Sequence, residues 1–139
     1  MTVLYTAAAT ATGGREGNVR SSDGVLDIDV RIPKEMGGAG GVYSNPEQLF
    51  AAGYAACFDS ALNHVARTAK ITTGVTKVTA NVSIGKNDTG GFSLAVEMHA
   101  QIPGVDQATA EDLIAKAHQV CPYSNATRGN IEVKLTVEV

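Results

Sequence analysis

Cys57 and Cys121 are the only thiols among 139 residues, and each stands in an uncommon run. The first closes Asn45-Pro46-Glu47-Gln48-Leu49-Phe50-Ala51-Ala52-Gly53-Tyr54-Ala55-Ala56-Cys57-Phe58, and the second opens Cys121-Pro122-Tyr123-Ser124-Asn125-Ala126-Thr127-Arg128-Gly129. A cysteine in an apolar helix is either inert filling or, beside a second sulfur and a cation, a redox nucleophile. The thiolate is the reactive form, and apolar surroundings raise the thiol pKa. Cys57 lies roughly 16 Å beyond the start of its helix, whereas the helix dipole acts only within the first turn. A fixed cation is therefore needed. A guanidinium about 4 Å away is worth on the order of 4 kcal/mol at an effective dielectric near 20, or about three pKa units. That is comparable to the desolvation it must offset.

The chain has five arginines. Arg15 follows the Gly13-Gly14 break, where a turn can aim it inward, and Arg128 lies in the polar run after Cys121. Spacing alone does not choose between them. Glu47 is the carboxylate placed to hold a guanidinium bidentately. It must orient that cation from its far side, because a carboxylate touching the sulfur would raise the thiol pKa. On one straight helix Glu47 and Cys57 are roughly 15 Å apart. Either the helix breaks near Gly53, or the two residues of one site come from different subunits. The second alternative is favoured and predicts a homodimer with composite sites.

Blander readings accompany each of these residues. Two isolated cysteines in a pattern of this kind are more often core filling, Glu47 suits the positive end of a helix dipole, and Arg15 suits a solvated turn. His64 and His118 are the imidazoles nearest the two thiols in sequence, and a Cys–His hydrolase needs one within hydrogen-bond reach. The spacings favour neither that nor a metal site, for there is no Cys-x-x-Cys or His-x-x-x-His pair. His99 falls on a strand face. Met36 to Gly41 is glycine-rich but lacks the Gly-Lys-Ser/Thr of a phosphate loop, so a mobile connection is expected.

The elements that must carry these side chains follow from local signals. Residues 2–12 alternate loosely and predict a strand ended by Gly13-Gly14. Asn18–Ser22 and Val25–Ile32 flank Ser22-Asp23-Gly24, a hairpin signal. Asn45 as cap, Pro46 at the first helical position and Glu47 in the first turn open a helix to about Ala69. Its first four turns are apolar all round, which predicts burial. Val75–Gly85 and Phe92–Ile102 form a second hairpin, Asp106 or Thr109 caps a helix that runs to about Val120 and is ended by Pro122, and Ile131–Val139 is a last strand. Three strands, helix, two strands, helix, strand is an α+β order, expected as a single domain over residues 1–139.

A net charge of -3 without a basic run argues against nucleic acid as a partner. Met1–Gly14 lacks a charged leader and an apolar core, and Leu49–Phe58 is too short to span a bilayer. The expected location is the cytoplasm, with no membrane partner. A structural disulfide is improbable there, which leaves a free or a catalytic thiol pair.

The runs Thr10–Gly17, Ser21–Gly24, Asn45–Phe58 and Val120–Asn130 together resemble the organic hydroperoxide resistance (Ohr) branch of the Ohr/OsmC superfamily, over essentially the whole chain. Val42-Tyr43-Ser44 departs from the Thr more usual before Asn45. The resemblance implies the Ohr/OsmC-like fold: two central helices wrapped by antiparallel sheets in an intertwined homodimer. It implies a thiol peroxidase in which Cys57 is peroxidatic, Cys121 is resolving, Arg15 stabilises the thiolate and Glu47 orients Arg15. It further implies organic or lipid hydroperoxides as substrates, no bound cofactor or metal, and dihydrolipoamide on a lipoylated protein as electron donor. Two alternatives stand beside it: the osmotically induced branch of the same superfamily, and a non-enzymatic module whose thiols merely bridge.

Overall fold

The computed structural model describes residues Met1–Val139. Its contacts divide the chain into two compact units, Met1–Leu49 and Phe50–Val139.

In the first unit, β1 (Ala9–Thr12), β2 (Asn18–Ser21) and β3 (Asp27–Asp29) form an antiparallel sheet in that order. The β2–β3 turn closes as its sequence requires. The Asp23 carboxylate accepts from the Ser21 hydroxyl and the Val25 amide, and Gly24 takes φ +74°. The connection from β1 to β2 is tighter. Gly13 and Gly14 adopt φ of +77° and +56°, and a Cβ on Gly17 would stand 1.7 Å from the Thr12 carbonyl oxygen. Only glycine permits that return, and the 3-10 turn Gly14–Glu16 at its tip presents Arg15. The strand expected over residues 2–12 is confined to Ala9–Thr12. No strand of this chain opposes the preceding residues, and Val3, Leu4 and Tyr5 are exposed.

Helix α1 (Pro46–Thr68) runs unbroken past Gly53. The Asn45 side chain accepts from the Gln48 amide at 2.9 Å, the capping bond its type predicts. All-round burial of the early turns is not observed. Tyr54, Phe58, Ala61, Leu62 and Val65 are buried at a helical period, whereas Ala52, Ala56 and Ser60 on the opposite side are exposed. The run is apolar all round because it is rich in alanine, and a single chain covers only the side bearing its large residues.

In the second unit, β4 (Lys77–Lys86) and β5 (Phe92–Gln101) form the expected hairpin, and β6 (Val133–Glu138) lies parallel to β5 on its far side. The parallel pair needs a crossover, which α2 (Gln107–Val120) and the short α3 (Pro122–Thr127) provide. Asp106, not Thr109, caps α2, accepting from the Thr109 amide at 2.7 Å. The polar run after Pro122, read from sequence only as the end of a helix, starts another. One core gathers Tyr54, Phe58 and Leu62 of α1, Val96, Met98 and Ala100 of β5, and Leu113, Ile114 and Ala117 of α2. Each large side chain buried there contributes about 1.5–3 kcal/mol. No helix is long and apolar enough to cross a membrane.

Candidate active site

Cys121 sits at the junction of α2 and α3. Proline has no N–H and disfavours helical geometry in the residue before it, so Pro122 forces Cys121 out of the helix to φ -63°, ψ 123°. The Cys121 amide still closes α2 on the Ala117 carbonyl, while its own carbonyl opens α3 by accepting from Asn125. Its side chain is fully buried and points at α1, where the half-buried Cys57 sulfur lies 3.6 Å from its own. Both are free thiols. A disulfide is about 2.05 Å long, so the two sulfurs stand in contact and unbonded.

Burial pushes the Cys57 thiol above its ordinary pKa. The Tyr123 amide opposes this by favouring the thiolate, and the neighbouring Cys121 adds to the rise. No cation of residues 50–139 offsets it. The tyrosine of that loop also explains Gly53. A Cβ there would meet the Tyr123 hydroxyl at 3.0 Å, so the glycine admits the ring against α1 and does not break the helix. Phe50, Tyr54 and Tyr123 pack around it with ring centroids 5.7–6.2 Å apart.

In the first unit, Arg15 and Glu47 form the two-pronged pair that guanidinium and carboxylate geometry favours. Nη1 donates to Oε2 at 2.8 Å and Nη2 to Oε1 at 2.7 Å. The Arg15 hydrogen bond holds the Glu47 carboxyl below its ordinary pKa against partial burial, and Glu47 in turn raises Arg15. Arg128, the other arginine that spacing left open, is otherwise engaged. It donates to the His118 carbonyl at 2.6 Å and to the Asn125 side chain at 2.8 Å. It thus satisfies a free carbonyl at the negative end of α2.

A buried hydroxyl cluster escaped sequence reasoning. The Tyr54 hydroxyl meets Ser124 Oγ at 3.0 Å and Thr127 Oγ1 at 3.2 Å, and His118 Nδ1 lies 2.8 Å from the same Ser124 oxygen. The available signal was Cys121, Ser124 and Thr127 continuing the buried stripe of Ala110, Leu113 and Ala117 at helical spacing. His118, three residues before Cys121 in sequence, has its ring hydrogen-bonded to serine. His64 is exposed, and His99 on β5 lies against Thr136 and Glu138.

Burial, with help from Arg128, holds His118 below its ordinary pKa. The unfolded chain then binds a proton first as pH falls. The contribution of His118 to stability is full above about pH 6.5 and declines from there down through its lowered folded value. The expected result is a larger loss of urea midpoint between pH 7.5 and 5.5 in the wild type than in His118→Gln. Equal losses would remove this histidine from the account.

Comparison with known proteins places these features in a wider set. A family model described as OsmC-like protein matches residues 38–136. The organic hydroperoxide resistance protein of Xanthomonas axonopodis pv. citri is 57% identical over 97% of this chain and 95% of its own length. OhrA of Bacillus subtilis, an organic hydroperoxide resistance protein, is 52% identical over 96% of each chain. The crystal structure of an organic hydroperoxide resistance protein from Elizabethkingia anophelis, with thiocyanate bound, superposes with a TM-score of 0.96 at 67% identity, covering 99% of both chains.

Proposed function

The chain belongs to the OsmC-like family, and from that premise we propose that it detoxifies organic hydroperoxides in the cytoplasm as a cysteine peroxidase. The observation that carries the proposal is the pair of free sulfurs 3.6 Å apart on separate helices. The names of the relatives support the substrate class.

In this reading the Cys57 thiolate attacks the outer oxygen of R-O-O-H. The O–O bond breaks, the alkoxide takes a proton and leaves as alcohol, and Cys57 becomes a sulfenic acid. The Cys121 sulfur then attacks the Cys57 sulfur, the S–O bond breaks, and the hydroxyl leaves as water with the thiol proton. A dithiol of the dihydrolipoamide type, presented on a lipoylated protein, reduces the Cys57–Cys121 disulfide by exchange and is itself oxidised to a disulfide. Arg15 is the cation that keeps Cys57 ionised, and Glu47 holds Arg15 from its far side.

The continuous α1 supports a homodimer. With no break at Gly53, Glu47 and Cys57 of one chain stay roughly 15 Å apart along the axis. The Arg15–Glu47 pair of one subunit therefore serves Cys57 of the other. The exposed Val3, Leu4 and Tyr5, and the uncovered Ala52 and Ala56 of α1, are the apolar surfaces such an assembly would bury.

A steady-state assay tests the function. Each methyl or methylene group buried beside the thiol is worth about 0.8 kcal/mol, so kcat/KM for tert-butyl hydroperoxide should exceed that for hydrogen peroxide by roughly 10–100-fold. Dihydrolipoamide should sustain turnover, and glutathione or thioredoxin should not. Equal rates with both peroxides would remove the organic-substrate assignment, and no consumption with any donor would remove the activity.

A further inference from the structure

We propose that the hydroxyl cluster of Tyr54, Ser124 and Thr127, together with His118, is a positioning device for disulfide closure that keeps the Cys121 sulfur in register with Cys57. This rests on the peroxidase reading and names residues that act on its second step alone.

The geometry is that of two rungs on one ladder. Tyr54 and Cys57 are three residues apart on α1, so they share a face. Cys121 and Ser124 are likewise three apart across the start of α3. Tyr54 meets Ser124 at 3.0 Å, and one turn along, Cys57 meets Cys121 at 3.6 Å. A slip of α3 along α1 would break both rungs together.

Cys121 needs such a lock because its backbone bonds join α2 to α3 and do not tie it to α1. It occupies the non-helical joint between α2 and α3, and α3 has only six residues and no side-chain cap. A helix that short does not persist by itself. Apolar packing holds it close but is tolerant of sliding, whereas hydrogen bonds are directional. His118 extends the lock across the joint, since it lies on α2 and bonds Ser124 on α3. Thr127 adds a second contact to Tyr54 and donates to the Ser124 carbonyl. Tyr54 and Ser124 are fully buried, Thr127 is 4% exposed, and no buried side-chain polar atom lacks a partner. The Tyr54–Ser124 and Tyr54–Thr127 bonds are buried from solvent.

Burial alone does not call for this cluster. Replacing both partners of a buried hydrogen bond by apolar groups of similar shape is nearly neutral for stability. Ring closure between two sulfurs, by contrast, is sensitive to displacements near 1 Å.

The test separates the two steps. Reduced wild type, Tyr54→Phe/Ser124→Ala, Ser124→Thr and Cys121→Ser are mixed with tert-butyl hydroperoxide in stopped flow. Sulfenic acid is trapped with dimedone, and the 57–121 disulfide is followed by mass spectrometry. In the double variant, formation of sulfenic acid should keep its wild-type second-order rate within about twofold, while disulfide closure slows roughly tenfold or more and the dimedone adduct accumulates. Ser124→Thr, which keeps the hydroxyl, should restore closure, and Cys121→Ser marks its floor. Melting curves of each variant verify folding. Closure at the wild-type rate in the folded double variant overturns the proposal, as does an equal fall in both steps. A wild type that yields neither adduct nor disulfide brings down the peroxidase reading itself, a result distinguishable from either.

Discussion

Cys57→Ser is expected to reduce hydroperoxide consumption to the background of buffer and dithiol. Serine presents an oxygen that is not ionised near neutral pH and has no route to a sulfenic acid, so no later step can compensate. The change is small in volume at a half-buried position, and the protein should remain folded, as a melting curve will show. Cys121 cannot substitute for the missing sulfur, because its side chain is fully buried and reaches only toward position 57. The decisive measurement is peroxide loss under excess dihydrolipoamide, with the variant and wild type at equal concentration. Wild-type turnover in Cys57→Ser would end the assignment of the attacking atom.

Arg15→Gln should produce the second-largest loss, and its signature is a displaced pH profile. Burial raises the Cys57 thiol, and nothing in residues 50–139 supplies an opposing cation. A guanidinium about 4 Å from the sulfur offsets on the order of 4 kcal/mol at an effective dielectric near 20. Without it the thiolate fraction at pH 7 should fall roughly 100–1,000-fold, and kcat/KM should fall with it. The sign is checkable. A raised thiol pKa means that activity returns as pH increases, so the profile of Arg15→Gln should climb through a range where the wild type is level. Glu47→Gln keeps the cation but loses its two-pronged hold, so a smaller loss in the same direction is expected. A uniform reduction in Arg15→Gln at every pH would point to folding or substrate binding and remove Arg15 as the source of ionisation.

The sequence by itself determined the elements with short-range causes. Asn45-Pro46-Glu47 starts α1, Asp106 starts α2, Pro122 ends it, and Asp23-Gly24 turns β2 into β3. Each effect acts between residues a few positions apart, and for that reason each was legible. The long motifs determined family membership in the same way, through residue identity in order. Three readings failed. The strand expected from residue 2 begins only at Ala9, the early turns of α1 are half uncovered, and α3 follows a proline that seemed only to stop a helix. In the first two cases the result depends on what lies opposite, which residue order does not state; in the third, a proline that ends one helix also fits the first position of the next.

Tertiary structure alone decided which distant side chains meet. Cys57 and Cys121 are 64 residues apart in sequence and 3.6 Å apart in space. Arg15 and Glu47 are separated by 32 residues and share two hydrogen bonds. Spacing left Arg15 and Arg128 equal, and in the folded chain Arg128 bonds the His118 carbonyl at the end of α2 while Arg15 bonds Glu47. The Tyr54 hydroxyl, inside an apolar run that reads as filling, found its partners 70 and 73 residues away. Hydrogen bonds, ion pairs and sulfur contacts act over a few ångströms, and only the folded core decides which distant residues come within that range.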